Sequence, residues 1–191
     1  WNGITYTLGG IYTYTSLNGN GCINIATLNL NLMPCASVVN LKLFLQGYYE
    51  NNSLMRSVLV NQGISTDITE VDSIELIVYS SSPPYNPIIS KKGMLYTNGN
   101  VNFSLPLTVG YYYIGISHRN TLTTWSANPI LIGPVPVTYD FTSSMSNAYG
   151  NNMVEVENGI WAFYTGDLVI DENIDLLDLT LLETDIQNFV F

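Results

Sequence analysis

The chain has 191 residues, of which 10% are charged and 47% hydrophobic, and its 15 acids against five bases give a formal net charge of −10. That balance excludes nucleic acid and anionic membranes as partners, because phosphate-rich surfaces are bound through clusters of Lys and Arg. No uninterrupted apolar run reaches the ~18 residues of a membrane span, so direct insertion as a helix is not expected, and divalent cations are the natural counterions.

The length suffices for one full domain with smaller pieces. Polarity comes from Asn, Ser, Thr and Tyr rather than from charge, which fits an extracellular β-protein better than a cytosolic enzyme. The start at Trp1 reads as that of a mature or excised fragment of something longer.

Residues 1–34 alternate strongly: Ile4 to Leu8, Ile11 to Thr15 and Ile23 to Leu32 read as three strands. Gly9-Gly10 and Asn18-Gly19-Asn20-Gly21 supply the turns. In the third strand the apolar phase changes near Ala26-Thr27, which suggests a bulge. Three strands are marginal alone, so this segment is expected to pack on the next domain, a preceding segment or another chain. Met33-Pro34-Cys35 marks the first boundary, because proline ends a strand pattern.

Residues 35–160 carry a longer series. Val38–Gln46, Leu54–Val60, Ser73–Tyr79, Ile88–Tyr96, Val101–Pro106, Tyr111–Ser117, Ile130–Ile132, Thr138–Thr142 and Met153–Val156 all read as strands. Ser81-Ser82-Pro83-Pro84 and Thr97-Asn98-Gly99-Asn100 are the clearest turns. This spacing argues for an antiparallel β-sandwich. Cys22 and Cys35 flank a strand-like stretch whose ends would lie on the order of 30 Å apart. The two are therefore expected not to pair unless the strand is broken.

Residues 161–191 differ. Asp167, Asp171, Asn173, Asp175 and Asp178 fall at positions 1, 5, 7, 9 and 12 of a twelve-residue loop, the register of an EF-hand-type calcium site. Four carboxylates in one short loop repel each other, and Ca2+ would relieve the repulsion, with Asn173 offering its backbone carbonyl. Val169 at position 3 has no ligand oxygen. Glu172 stands at position 6, where a positive φ favours glycine. The loop reads either as a degenerate calcium site or as an acidic cap leading into a helix built on Leu176, Leu177, Leu179, Leu181, Leu182 and Ile186.

His118 is the only histidine, and its place at a strand end suits a structural role. Arg119 could pair with Asp140. No phosphate loop, zinc spacing or nucleophile elbow occurs, so an enzyme is not expected. Tyr48-Tyr49, Tyr111-Tyr112-Tyr113, Trp125 and Trp161 are candidates for stacking on sugars. On a strand, however, Tyr111 and Tyr113 share one face and Tyr112 the other, so one set must be core. Trp125 and Trp161 are expected as core or interface anchors, and Trp161, Phe163 and Tyr164 as the seat of the last helix.

His118-Arg119-Asn120, Trp125-Ser126-Ala127, Tyr139-Asp140-Phe141-Thr142, Tyr149-Gly150, Gly159-Ile160-Trp161 and Gly166-Asp167 form an ordered series. It resembles the C-terminal region of large surface and secreted proteins of Bacteroidota exported by the type IX secretion system. There a β-sandwich leads into a dockerin-like calcium repeat. Residues 1–34 resemble the end of an Ig-like repeat from the same proteins. The resemblance implies an all-β fold: an Ig-like antiparallel β-sandwich, with an N-terminal three-stranded segment and a C-terminal dockerin-like calcium loop and short helix. It implies a non-catalytic structural or adhesive module at the cell surface. The partners it implies are other domains of the same protein, neighbouring copies, or glycans. The alternatives are a subunit of an extracellular filament assembling by strand addition, or a carbohydrate-binding module of a secreted enzyme.

Overall fold

Side chains that alternate between apolar and polar need two environments, and most of this chain meets that need with β-strands. The computed structural model describes residues 1–31 and 36–188. They divide into two units, Trp1–Cys35 and Ala36–Phe191. The protein is all-β, with mostly antiparallel pairing and few helices.

The first unit is a hairpin of β1 (Gly10–Leu17) and β2 (Ile23–Leu30). Its register runs unbroken from Gly10↔Leu30 to Leu17↔Ile23. Asn18 Oδ1 closes the turn by accepting from the backbone N–H groups of Asn20 and Cys22. Among the described residues of this unit two strands are present where three were expected. Ile4–Leu8 is not a strand, and a turn at Asn2 and Gly3, both at positive φ, precedes it. The Tyr6 ring then packs at 4.0 Å from that of Tyr12, centroid to centroid, while Trp1 sits edge-on to Tyr14. The expected bulge at Ala26-Thr27 is likewise absent. The change of apolar phase instead gives the hairpin two apolar faces, with Leu28 opposite Tyr12 on one and Ile23 opposite Leu17 on the other. Cys22 is exposed, whereas Cys35, and with it the expectation for the pair, lies outside the described residues.

The second unit begins with β3 (Ser37–Lys42), β4 (Tyr49–Asn51), β5 (Leu54–Met55) and a single helical turn, α1 (Val58–Asn61). Leu54–Val60 is thus no continuous strand. The turn is closed by Gln62 N–H donating to Val58 O, with Gly63 at φ 72 just beyond, as helix ends prefer. Then come β6 (Glu70–Ser80), β7 (Pro87–Tyr96), β8 (Asn100–Leu105), β9 (Gly110–His118) and β10 (Thr121–Trp125). After these follow β11 (Ile130–Ile132), β12 (Val137–Asp140), β13 (Val154–Glu157), β14 (Ile160–Ala162) and α2 (Leu176–Gln187).

One sheet has the order β10-β9-β6-β7, and β11 also pairs with β9. Since β6 occupies one edge of β9, β10 and β11 follow each other along the opposite edge. The second sheet has the order β12-β3-β8, and its β12–β3 pair is parallel. Val39 and Leu41 of β3 join Val101, Phe103 and Leu105 of β8 in a single apolar core. Ile74, Leu76 and Val78 of β6 and Ile114 and Ile116 of β9 complete it from the other sheet. Burying each such side chain contributes about 1.5–3 kcal/mol. Gly99 is required where the β7–β8 turn meets this core, because its φ is 82 and a Cβ would lie 2.7 Å from Leu43 O.

The last segment re-enters the domain instead of leaving it. Phe163 N–H donates to Phe44 O, and Gln46 N–H donates to Phe163 O. Phe163 is fully buried against Phe141, their ring centroids 5.0 Å apart. This corrects its expected role, since Phe163 fills the core and does not seat the helix. The α2 side chains Leu176, Leu177, Leu179, Leu182 and Ile186 are all exposed.

Candidate functional site

The acidic loop leaves the domain at Gly166, whose N–H donates to both the backbone O and the Oδ1 of Asn120. Tyr164 O accepts from Leu122 N–H, Thr121 bridges to Thr165, and Glu172 Oε2 accepts from Thr123 N–H at 2.9 Å. The β9–β10 hairpin therefore holds the lead-in residues 164–166 through Asn120, Thr121 and Leu122, and the loop itself at Glu172 through Thr123.

Within the loop, the first and twelfth positions are buried and the others are not. Asp167 is 0% exposed and accepts from the N–H groups of Asp171 and Glu172. Asp178 Oδ1 accepts from Leu168 and Val169, and its Oδ2 accepts from Asp175. These bonds, that from Asp175 foremost, hold the Asp178 carboxyl below the ordinary carboxylate range. Asp175 in turn caps α2 by accepting from Leu177 N–H, completing a reciprocal capping box with Asp178. Asp171 accepts from Asn173 N–H in a local turn, and Asp171, Asn173 and Asp175 are all exposed. Glu172 has φ 65, the left-handed backbone that position 6 of a calcium loop takes.

The backbone thus has the expected turn, while the side chains also satisfy the acidic-cap reading. Among the described residues no three of His, Cys, Asp and Glu stand close enough to hold a metal ion. The donor set fits calcium in part. Asp167 and Asp178 offer buried carboxylates, Val169 contributes no side-chain oxygen, and the Glu172 carboxylate is engaged by β10.

Behind the loop lies a buried polar cluster of which the sequence marked His118 and Arg119 but not Asp72. Asp72, 5% exposed, shares the inward parity of Ile74, Leu76 and Val78 on β6, beside the bulge that takes up Val71. Its Oδ2 accepts from Arg119 Nε at 2.9 Å and Nη2 at 2.8 Å, and lies 3.2 Å from His118 Nε2. His118 Nδ1 accepts from Asn120 N–H, so Nε2 carries the proton and donates to Asp72. Both ring nitrogens are therefore committed, and Tyr48 packs edge-on against the ring. Arg119 pairs with Asp72 and not with Asp140, which accepts instead from Thr142 N–H and Oγ1. One signal was available: Asp72 is an acid on the apolar parity of a strand.

Of the aromatic candidates, Tyr112 packs on the core and hydrogen-bonds Thr108. Trp161 also packs on the core. Tyr113 and Trp125 lie on the opposite face of their sheet, their rings 5.9 Å apart, with Tyr79 stacked on Trp125 at 3.9 Å. Tyr85 and Tyr149 join them around one cleft, and neither had been singled out from the sequence for sugar stacking. Comparison with protein-family models, curated proteins and solved structures finds no match to this chain.

Proposed function

We propose that the chain is a non-catalytic structural module of a large exported bacterial cell-surface protein. In this reading the second unit is an Ig-like sandwich whose dockerin-like tail is tightened by Ca2+. The observation that carries it is the anchoring of the loop's entry at residues 164–166, and of Glu172 within it, along Asn120 to Thr123 of the β9–β10 hairpin. A loop fixed at its base needs only its interior to be rearranged when an ion enters. Asp167, Asp171, Asp175 and Asp178 would supply carboxylates, Asn173 its carbonyl, and the ion would offset their mutual repulsion.

The test is thermal unfolding with calcium and with EDTA. Asp171→Ala is expected to lower Tm in calcium by about 2–4 °C per kcal/mol of binding lost, and to leave it unchanged in EDTA. An equal loss in both would mean that Asp171 serves only its local turn.

The first unit favours a second reading, a filament subunit that assembles by strand addition. A two-stranded sheet is marginal by itself, and Ile11, Leu17, Ile23 and Ile25 are each at least 64% exposed. Light scattering on the purified chain separates the two readings. A stalk module stays monomeric, whereas a filament subunit forms large assemblies, and their response to EDTA reports whether the loop controls them.

A further inference from the structure

We infer that the cleft lined by Tyr85, Tyr113, Trp125 and Tyr149 is a binding site for an uncharged pyranose unit of a glycan. It has a volume of about 260 Å³, just below the roughly 300 Å³ at which small-ligand pockets begin and of a size to take a single sugar ring. On a chain of net charge −10, none of its four lining residues is charged. A neutral ligand is therefore favoured over an ionic one.

The floor is built for close stacking. Trp125 pairs with Gly115 across β10 and β9. A Cβ at Gly115 would stand 2.8 Å from the Tyr79 ring and 3.2 Å from Trp125 Nε1, so glycine leaves room for the edges of this stacked pair against the sheet. Tyr79 backs Trp125 at an interplanar angle of 22° and fixes the indole in place. Two walls rise from outside the sheet. Tyr85 comes from the β6–β7 turn and stands at 89° to Tyr113, its backbone held at φ 56. For a bulky residue that left-handed conformation is costly, and such costs collect at ligand clamps. Tyr149 comes from the 3-10 turn after β12, which the Ser126–Ala148 bridge ties to the end of β10. Tyr85 is 41% and Tyr149 64% exposed.

A pyranose has an apolar C–H face and an equatorial rim of hydroxyls. The electron-rich faces of the aromatic rings suit the first. Three phenol hydroxyls and one indole N–H among the lining residues suit the second. A polyproline segment, by contrast, runs along an extended aromatic-lined groove. Here the rings stand perpendicular or tilted to one another, which encloses a compact ring rather than guiding an extended chain. This inference goes beyond a structural role and does not depend on calcium or on the acidic loop.

The test is to screen the whole chain on an array of neutral oligosaccharides and titrate each ligand found by calorimetry. Tyr85→Ala and Tyr149→Ala, both at exposed positions, are expected to weaken binding about fivefold each with Tm unchanged. The double variant should weaken it about 25-fold if the two losses are independent. Trp125→Phe, which keeps the floor and removes the N–H, should weaken binding without unfolding the domain. The assignment is overturned if no neutral oligosaccharide binds, if only charged glycans bind, or if both tyrosine variants bind like the parent. Binding of a decaproline peptide at this cleft in place of sugar would overturn it as well.

Discussion

Replacing Phe163 with alanine is expected to cost about 3–5 kcal/mol, the range for truncating a fully buried phenylalanine. For a domain of this size that is a fall in Tm on the order of 10 °C or more. The ring is 0% exposed and packs against Phe141, so its loss leaves a cavity among residues distant in sequence. The flanking hydrogen bonds to Phe44 and Gln46 are backbone bonds and survive the substitution. Phe163→Leu, which restores most of the volume, should recover about half of the loss. If Phe163→Ala melted within a degree or two of the parent, the segment around residue 163 would not be part of the core.

Asp72→Ala is the second large effect, at about 3 kcal/mol. The substitution removes one acceptor from three donors at once: Ser73 N–H, His118 Nε2 and Arg119. Arg119 is 55% exposed and regains water, so most of the cost falls on the buried imidazole. The pH dependence has a definite sign. Burial alone would raise the Asp72 pKa, but the bonds from His118, Arg119 and Ser73 outweigh it and lower the pKa from 3.8 to about 2. A carboxyl with a depressed folded-state pKa stabilises the protein above pH 3.8, and that stability is lost as pH falls through about 2. By linkage this difference between folded and unfolded pKa is worth on the order of 2 kcal/mol. Calorimetric scans should therefore show the gap between parent and Asp72→Ala narrowing from pH 5 to pH 2. A gap that stayed constant across that range would refute the ion-pair account.

The strands were legible where one face alone is buried. β6 and β8 alternate cleanly between core and solvent, and their periodicity could be read directly from the chain. Ile4–Leu8 alternates just as well, yet among the described residues it pairs with no strand and its Tyr6 ring packs on Tyr12 instead. β10 went unread because Thr121–Trp125 has too few apolar residues to show a period, and its place is set by pairing with β9. The acidic segment from Asp167 to Asp178 was visible because its carboxylates recur within a few residues of one another. The Asp72, His118 and Arg119 cluster was not, since it joins residues 46 and 47 positions apart whose proximity only the sheet order creates. The same holds for the cleft, whose four rings come from two adjacent strands and two separate turns.

The return of the chain near residue 163 also bears on how the domain comes into being. The Gly47–Thr165 hydrogen bond spans 118 positions, and the neighbouring Leu45–Phe163 bridge joins the same two ends. As the chain emerges from a ribosome, β3 and its neighbours appear early, well before the segment at Phe163 that bonds to Phe44. Until residue 163 arrives, a hydrophobic groove lined by Phe44 and Phe141 stays open, and closing so distant a contact is slow. The acidic loop follows within a few residues of that closure. Maturation of the tail is thereby coupled to completion of the fold, and a ribosome-bound chain stopped before residue 160 should remain protease-sensitive.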